Sequence, residues 1–420
     1  MKVLWFSNTS CAAFCNDKLK GTGGWMVSLD RAIQEYVELH VVFHYPYKKE
    51  PFKVGKTTYY PVYAGNIIWN SIKNRFHKTV IDRQFLSEYK QIINRVNPDV
   101  IHIHGTENSY HRILEFSNIP PVVISIQGNL TVYAHKYLSG FHQDYLNEKI
   151  GVLTWKSVLL GRNTYKESYI SLKRRALIEV EDMLKARYII GRTDWDKRIT
   201  RILAPKSKYF IGNEILRDSF YSTIWENNSI NRKLVVHTTN GNNYYKGFET
   251  ICHTLKLLQN VGLNVEWRVA GVSVQSDINR ITKKLLKADY PKTGLVLMGS
   301  LNEDDLVESL KTSHIYVMSS HIENSPNNLC EAMILGMPCV ATFAGGTSSM
   351  LADKKEGLLV QDGDPWVMAG AILELLNNWN VAQQYGKAAR ERALARHNKT
   401  EIIQGLLNTY KEIVKDTICK

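Results

Sequence analysis

Short, continuous apolar runs separated by helical periods constrain this chain more than any other feature. A first series comprises Val3–Phe6, Leu39–Phe43, Val100–His104, Val122–Ile126 and Tyr188–Ile190. A second comprises Leu234–Thr238, Asn264–Ala270, Leu295–Met298, Ile315–Met318, Pro338–Thr342 and Leu358–Val360. Strands that are apolar on both faces belong to parallel sheets covered by helices on both sides. A polar, Asn-rich stretch near Tyr221–Arg232 separates the two series, and 420 residues exceed what one ordinary core organises. The expectation is an α/β chain of two doubly wound, Rossmann-like parallel-sheet domains, residues 1–225 and 226–400, followed by a C-terminal helix over 401–420. That helix carries Ile402, Ile403, Leu406, Leu407, Tyr410, Ile413 and Val414 at helical spacing. Open parallel sheets bind ligands beyond the carboxyl ends of their strands, so two such domains would present strand-end loops across one cleft.

The most informative strand end follows His314–Ser320. It reads Glu323-Asn-Ser-Pro-Asn-Asn-Leu-Cys-Glu331-Ala-Met-Ile-Leu-Gly336-Met-Pro338. A strand, a polar turn and a helix start form an anion site, because unpaired N–H groups and the helix dipole point at the turn. Carboxylates there do not bind phosphate themselves; Glu323 and Glu331 suit hydroxyls on either side of one. Sugar hydroxyls flanking a diphosphate describe a nucleotide sugar. Two ordinary helix-entry glutamates would also be favoured by the dipole.

Glu323 and Glu331, spaced as E-x7-E and followed by Ala-Met-x-x-Gly-Met-Pro-Cys-Val-Ala-Thr, resemble the signature of the family 4 retaining glycosyltransferases of the GT-B fold. The resemblance implies that Glu323 holds hydroxyls of the transferred sugar and Glu331 the ribose. Amides near Asn327, Asn328 and Leu329 would then meet the diphosphate, Asn324 is a further candidate donor contact, and backbone around Gly299-Ser-Leu301 would read the base.

Lys246-Gly247 precedes a helix starting near Phe248. A lysine at a helix start is disfavoured unless an anion is present, and the resembling family uses such a residue to neutralise the leaving diphosphate. The family places an Arg shortly upstream, where this chain has Asn240. Lys20-Gly-Thr-Gly23-Gly24-Trp25 follows the first strand; its glycines permit close backbone approach to a ligand. Gly23 and Gly24 match the family's Gly-Gly loop beside the donor phosphates.

In the first domain, His102-Ile-His104-Gly105 ends a strand, and its alternation sends both histidines to one side. The family has a second His-Gly after the next strand, where this chain has Gln127-Gly128. Gln accepts and donates hydrogen bonds but does not take a proton as His does. Gly191-Arg192-Thr-Asp-Trp-Asp196 and Asn213-Glu-Ile-Leu-Arg217 lie at later strand ends. Arg192 is either a phosphate ligand or the partner of Asp194 or Asp196. These versions of the motifs are similar to transferases that build bacterial surface polysaccharides.

The +13 net charge is concentrated: residues 1–225 hold 32 Lys+Arg against 20 Asp+Glu, and 226–420 hold 21 against 20. The basic half suits an anionic substrate or an anionic membrane surface, with Tyr133–Arg175 as the candidate contact. No zinc-finger, RNA-recognition or basic-zipper pattern points to nucleic acid. The six cysteines are scattered and read as reduced thiols, and Cys11-x3-Cys15 has no second pair to complete a zinc site. No run approaches the roughly 20 apolar residues of a membrane span. Met1–Phe6 reads as a buried strand rather than a leader.

The expected activity is transfer of a sugar, with retention, from a nucleotide-diphosphate sugar to a saccharide or lipid-linked saccharide acceptor. No cofactor or metal is expected, and the expected location is cytoplasmic, peripheral on the inner face of the membrane. His104, Gln127 and Arg192 are the candidate acceptor or sugar contacts. The alternatives are a GT-B nucleotide-sugar epimerase and a non-catalytic nucleotide-sugar-binding subunit.

Overall fold

The computed structural model describes residues 1–14, 24–65, 85–141, 165–226 and 233–418. These fall into two compact units. One lies within Met1–His135, Glu148–Ile215 and Lys399–Lys420, the other within Lys136–Asn147 and Leu216–Asn398. The chain thus changes unit at Ile215/Leu216, upstream of the Asn-rich stretch, and the short segment after His135 belongs with the second unit. Residues 227–232 of that stretch, Lys20–Gly23, Cys15 and residues 142–164 of the Tyr133–Arg175 region lie outside the described residues.

The first unit holds β1 (Lys2–Ser7), β2 (Glu38–Tyr45), β3 (Phe52–Val54), β4 (Thr57–Tyr63), β5 (Val100–His104), β6 (Val122–Ser125), β7 (Tyr188–Gly191) and β8 (Lys208–Ile211). Their order in the sheet is β3-β4-β2-β1-β5-β6-β7-β8, parallel except for the β3–β4 hairpin turning at Gly55. The second unit holds β9 (Leu234–Thr239), β10 (Val265–Ala270), β11 (Leu295–Gly299), β12 (Ile315–Met318), β13 (Cys339–Thr342) and β14 (Leu358–Val360), ordered β11-β10-β9-β12-β13-β14. Every neighbouring pair in this sheet is parallel. Both expected series of runs therefore appear as doubly wound sheets. Strands β3, β4 and β8 were not among the expected runs. β3 and β8 lie at sheet edges and keep polar or exposed residues, and β4 is interrupted by Pro61.

The last helix, Lys399–Ile418, packs into the first unit. Ile402, Leu407, Tyr410 and Ile413 are buried beside Trp5, Leu39 and Val100. Trp5 Nε1 donates to the Tyr410 hydroxyl at 3.0 Å, and His102 Nδ1 lies 2.6 Å from the same hydroxyl. The helical apolar spacing expected for this segment faces that core. No helix among the described residues is long and apolar enough to cross a membrane.

Candidate functional site

In the second sheet, chain progress reverses between β9 and β12, and the loops after these strands meet there. Such a switch point is where open α/β sheets receive ligands. The β9 loop ends in a short turn, Tyr244–Lys246, then Gly247 at φ +68, and the helix Phe248–Asn260 begins. Only glycine fits this place: a Cβ would strike the Ser319 carbonyl at the end of β12. The close approach brings Lys246 Nζ within 2.5 Å of Glu323 Oε1. Ser320 Oγ donates to the same carboxylate oxygen at 2.7 Å. The Glu323 carbonyl accepts from Gly346 N–H at 2.9 Å, and a Cβ on Gly345 would collide with it. Glu323 is thereby fixed from both ends. The Glu323 side chain is 7% exposed and that of Lys246 22%, so a cation and a carboxylate stand side by side at a loop mouth. Together they suit a ligand with both phosphate and hydroxyl groups.

Asn240, in the place of the family's Arg, does not supply a substitute charge. Its Nδ2 donates to the Lys246 carbonyl at 3.2 Å and its Oδ1 accepts from Gly241 N–H at 2.7 Å. Ser319 Oγ donates to the same Lys246 carbonyl at 3.1 Å. Asn240 thus braces the backbone of the lysine from within its loop.

The helix Asn327–Leu335 opens after Pro326 and closes at Gly336, whose left-handed φ of 90° suits glycine. Asn328 Nδ2 donates to the Thr239 carbonyl at 2.6 Å, tying the helix start to the end of β9. The Leu329 amide is already engaged, by Asn328 Oδ1 at 3.0 Å and the Pro326 carbonyl at 3.1 Å. Asn324 is buried, and Asn327 Oδ1 is buried with no hydrogen-bond partner. Gly299 takes φ +65 at the end of edge strand β11; its N–H donates to Val272 O, and its carbonyl accepts from Gly271 N–H. Both backbone polar groups of Gly299 thus bond to the loop that follows β10.

Glu331 lies one turn into that helix and forms a two-pronged pair with Arg217. Nε reaches Oε1 and Nη2 reaches Oε2, each at 2.8 Å. Burial raises the Glu331 carboxyl above its ordinary range, and Arg217 opposes the rise. Arg217 also lies over Phe220, 4.7 Å from the ring centroid. Glu331 is therefore a carboxylate already oriented by a guanidinium.

Next to Glu323, His321 Nε2 lies 2.7 Å from Glu249 Oε1, and Nδ1 lies 3.4 Å from Asp362 Oδ2. Lys136 Nζ reaches the same Asp362 oxygen at 3.3 Å. Burial pulls the His321 pKa down, but Asp362 and Glu249 outweigh it and push it up to about 9. The imidazolium so formed ties the loop after β12 to the loop after β14 and to the start of the Phe248–Asn260 helix.

In the first unit, His102 and His104 do share a side, as their alternation implies. Their rings lie 3.8 Å apart. His102 is structural, bridging the Tyr410 hydroxyl and Ser125 Oγ at 2.6 Å each, and burial lowers its pKa to about 3. His104 is equally buried, held well below the ordinary imidazole range by burial, with neither ring nitrogen hydrogen-bonded. Gln127 is half-buried just beyond β6, and Gly24 is the first residue of the helix Gly24–Ile33. Arg192 Nη1 reaches Glu214 Oε1 at 3.0 Å, and the guanidinium lies 4.7 Å from the Trp25 ring centroid. Asp196 instead caps its own helix, accepting from the Arg192 and Thr193 N–H groups and the Tyr209 hydroxyl.

Residues 223–392 match the family described as "Glycosyl transferases group 1", and residues 60–153 match "Glycosyl transferase 4-like". Over its whole length the fold resembles the sucrose-phosphate synthase of Thermosynechococcus elongatus, with a TM-score of 0.71 at 14% identity, covering 99% of each chain. The chain has the GT-B fold, and these two segments match glycosyltransferase families. Among curated relatives, it is 26% identical over 114 residues to N-acetyl-alpha-D-glucosaminyl L-malate synthase of Bacillus anthracis, which is 27% of this chain and 30% of that protein. It is 22% identical over 173 residues to the capsular polysaccharide biosynthesis glycosyltransferase CapM of Staphylococcus aureus, 41% of this chain and 44% of that protein. The chain therefore spans less than half the length of these two relatives.

Within this GT-B chain, Lys246, Glu323, Asn328 and Asn240 converge on the β9–β12 switch point. Gly299 lies two strands away, at the sheet edge. Sequence reasoning missed Arg217 and His321. Arg217 stood in a motif already singled out, but its partner lies 114 residues further on, and His321 stood two residues before Glu323. No group of three or more His, Cys, Asp or Glu among the described residues is placed to hold a metal ion.

Proposed function

We propose that the chain is a retaining, family 4 glycosyltransferase that moves a sugar from a nucleotide-diphosphate sugar to a saccharide acceptor in cell-surface polysaccharide biosynthesis. The observation that carries this reading is the Lys246–Glu323 contact at the switch point of the second sheet. The ammonium suits the leaving diphosphate, whose growing negative charge it would stabilise at the moment of bond breaking. Glu323, held by Ser320 and by its own backbone, would orient hydroxyls of the transferred sugar. Glu331, oriented by Arg217, would take the ribose hydroxyls.

In this mechanism the bond from the anomeric carbon to the diphosphate oxygen breaks as the acceptor oxygen bonds to the same face of that carbon. The acceptor hydroxyl proton passes to the departing phosphate, whose negative charge Lys246 balances. Retention follows from attack on the face the leaving group vacates. No metal is invoked in this scheme, since Lys246 provides the positive charge.

We also propose a cytoplasmic location, peripheral on the inner membrane face, with a lipid-linked acceptor; the basic excess of residues 1–225 supports this. Flotation with anionic vesicles at low salt checks the membrane part, and absence of binding would overturn it. The reaction itself is tested by nucleotide release from a panel of uridine, guanosine and adenosine diphosphate sugars with mixed saccharide acceptors. Acceptor-dependent release that is abolished in Glu323→Gln is expected; acceptor-independent release unaffected by this change would refute the proposal.

A further inference from the structure

A short segment of the second unit, following the helix Leu130–Lys136, lies against the turn that carries Lys246. Two turns fold it: Ser139 N–H donates to the Lys136 carbonyl at 3.1 Å, and Phe141 N–H to the Leu138 carbonyl at 3.0 Å. Gly140 sits at φ +83, and a Cβ there would strike Glu249 Oε1 and His321 Nε2. With Lys136 on Asp362, the segment is seated on the His321 ion pairs at two points. Between them its rings reach the lysine turn. Tyr137 lies 5.7 Å from the Tyr244 ring and 6.0 Å from the Tyr245 ring, and Phe141 meets Tyr244 edge-on at 5.5 Å, centroid to centroid.

None of Tyr244, Tyr245 and Lys246 is buried, and Asn242 and Asn243 before them are exposed. The backbone of the turn is fixed at two carbonyls. Tyr245 O accepts from His321 N–H at 2.8 Å, and Lys246 O accepts from Asn240 and Ser319. The side chains need a further hold. In a 3₁₀ turn three residues complete one revolution, so successive side chains point about 120° apart. Rings of Tyr244 and Tyr245 held in place therefore set the direction of the third side chain, that of Lys246. Tyr245 also meets it directly: its ring centroid lies 5.8 Å from the Lys246 ammonium, within cation–π range. A continuous line of contacts thus runs from Tyr137 through Tyr245 and Lys246 to Glu323.

We propose that Tyr137 is a positioning residue for sugar transfer, holding Tyr245, and through it the Lys246 ammonium, where the leaving diphosphate develops its charge; this rests on the transferase reading above. An ammonium placed beforehand stabilises that charge with no reorganisation at the moment of reaction. A lysine free to swing loses that orientation. The hold comes from the ring of Tyr137, so a phenylalanine serves in its place.

The test combines calorimetry with uridine, guanosine and adenosine diphosphates and amide hydrogen exchange, both on the full chain. In Tyr137→Ala, exchange over residues 241–247 speeds up, and affinity for the diphosphate that the wild type binds best falls about fivefold. Tyr137→Phe stays within about twofold of the wild type, and Tyr137→Ala adds no loss in a Lys246→Ala background, as a residue acting only through that lysine must. Gly140→Ala keeps every ring but lifts the segment off Glu249 and His321, so it weakens binding in the same way and replaces Tyr137→Ala if that variant does not fold. Affinity and exchange equal to wild type in both variants, or an equal loss with and without Lys246, overturns the assignment. A wild type that binds none of the three diphosphates overturns the transferase reading instead, and the exchange rates alone then decide whether Tyr137 holds the turn.

Discussion

The two strand-end clusters resolve their polar groups in opposite ways. In the second unit the charges close on one another: Lys246 on Glu323, Arg217 on Glu331, and His321 between Glu249 and Asp362. In the first unit, the ring nitrogens of His104 and the side-chain amide of Asn129 stay buried and unpartnered. Charges can wait in pairs and exchange a partner for a ligand's phosphate. Neutral groups have no such internal substitute, so they stay open. The paired charges of the second unit support the proposal that it takes the charged donor.

The sharpest way to break this contrast is at Glu323. Glu323→Gln keeps the shape but removes the charge, and turnover should fall by roughly 10²–10³-fold, read as nucleotide release from the preferred sugar donor. Full activity would remove Glu323 from the chemistry.

A smaller but still large effect is expected at Lys246. Lys246→Ala would remove the charge-assisted contact proposed to the diphosphate, so nucleoside diphosphate affinity should drop about 10- to 100-fold by calorimetry. Unchanged affinity would mean that the lysine only serves Glu323.

Breaking the Arg217–Glu331 pair should cost both binding and stability. Glu331→Ala leaves a mostly buried guanidinium unpaired, for roughly 3 kcal/mol of lost stability in denaturant unfolding, and weakens nucleotide binding. The double variant with Arg217→Ala should recover part of the stability but not the binding. Recovery of both would make the pair purely structural.

The mildest effect is a pH slope. The folded-state pKa of His321 lies near 9, above its unfolded value. Its contribution is therefore fully present below about 6.5 and is lost as pH rises through 9. Thermal unfolding should show the second unit weakening between pH 7 and 9.5, and His321→Gln should flatten that slope. An unaltered slope would assign the effect to other groups.

Much of this was legible in the sequence because it is local. Continuous apolar runs gave every strand of the second sheet and β1, β2, β5, β6 and β7 of the first, and Pro326 and Gly336 bracket the Asn327–Leu335 helix as their backbone preferences require. Lys246-Gly247 was recognisable from its position before a helix. What stayed hidden depends on contacts between distant segments. Nothing near Arg217 announces Glu331, and the Lys246 turn gains its setting from Tyr137 and Phe141, far upstream in the chain. Asn240 looked like a lost charge, whereas its place is a brace that only the folded loop reveals. The edge strands β3 and β8 were missed because edges need no continuous apolar run.

The most direct measurement is a calorimetric comparison of each nucleotide sugar with its nucleoside diphosphate, on the wild type and on Glu323→Gln. The wild type should bind one nucleotide sugar more tightly than its diphosphate, and Glu323→Gln should lose that increment while binding the diphosphate as before. Equal affinities for sugar and diphosphate in the wild type, or an increment that survives in Glu323→Gln, would contradict the account.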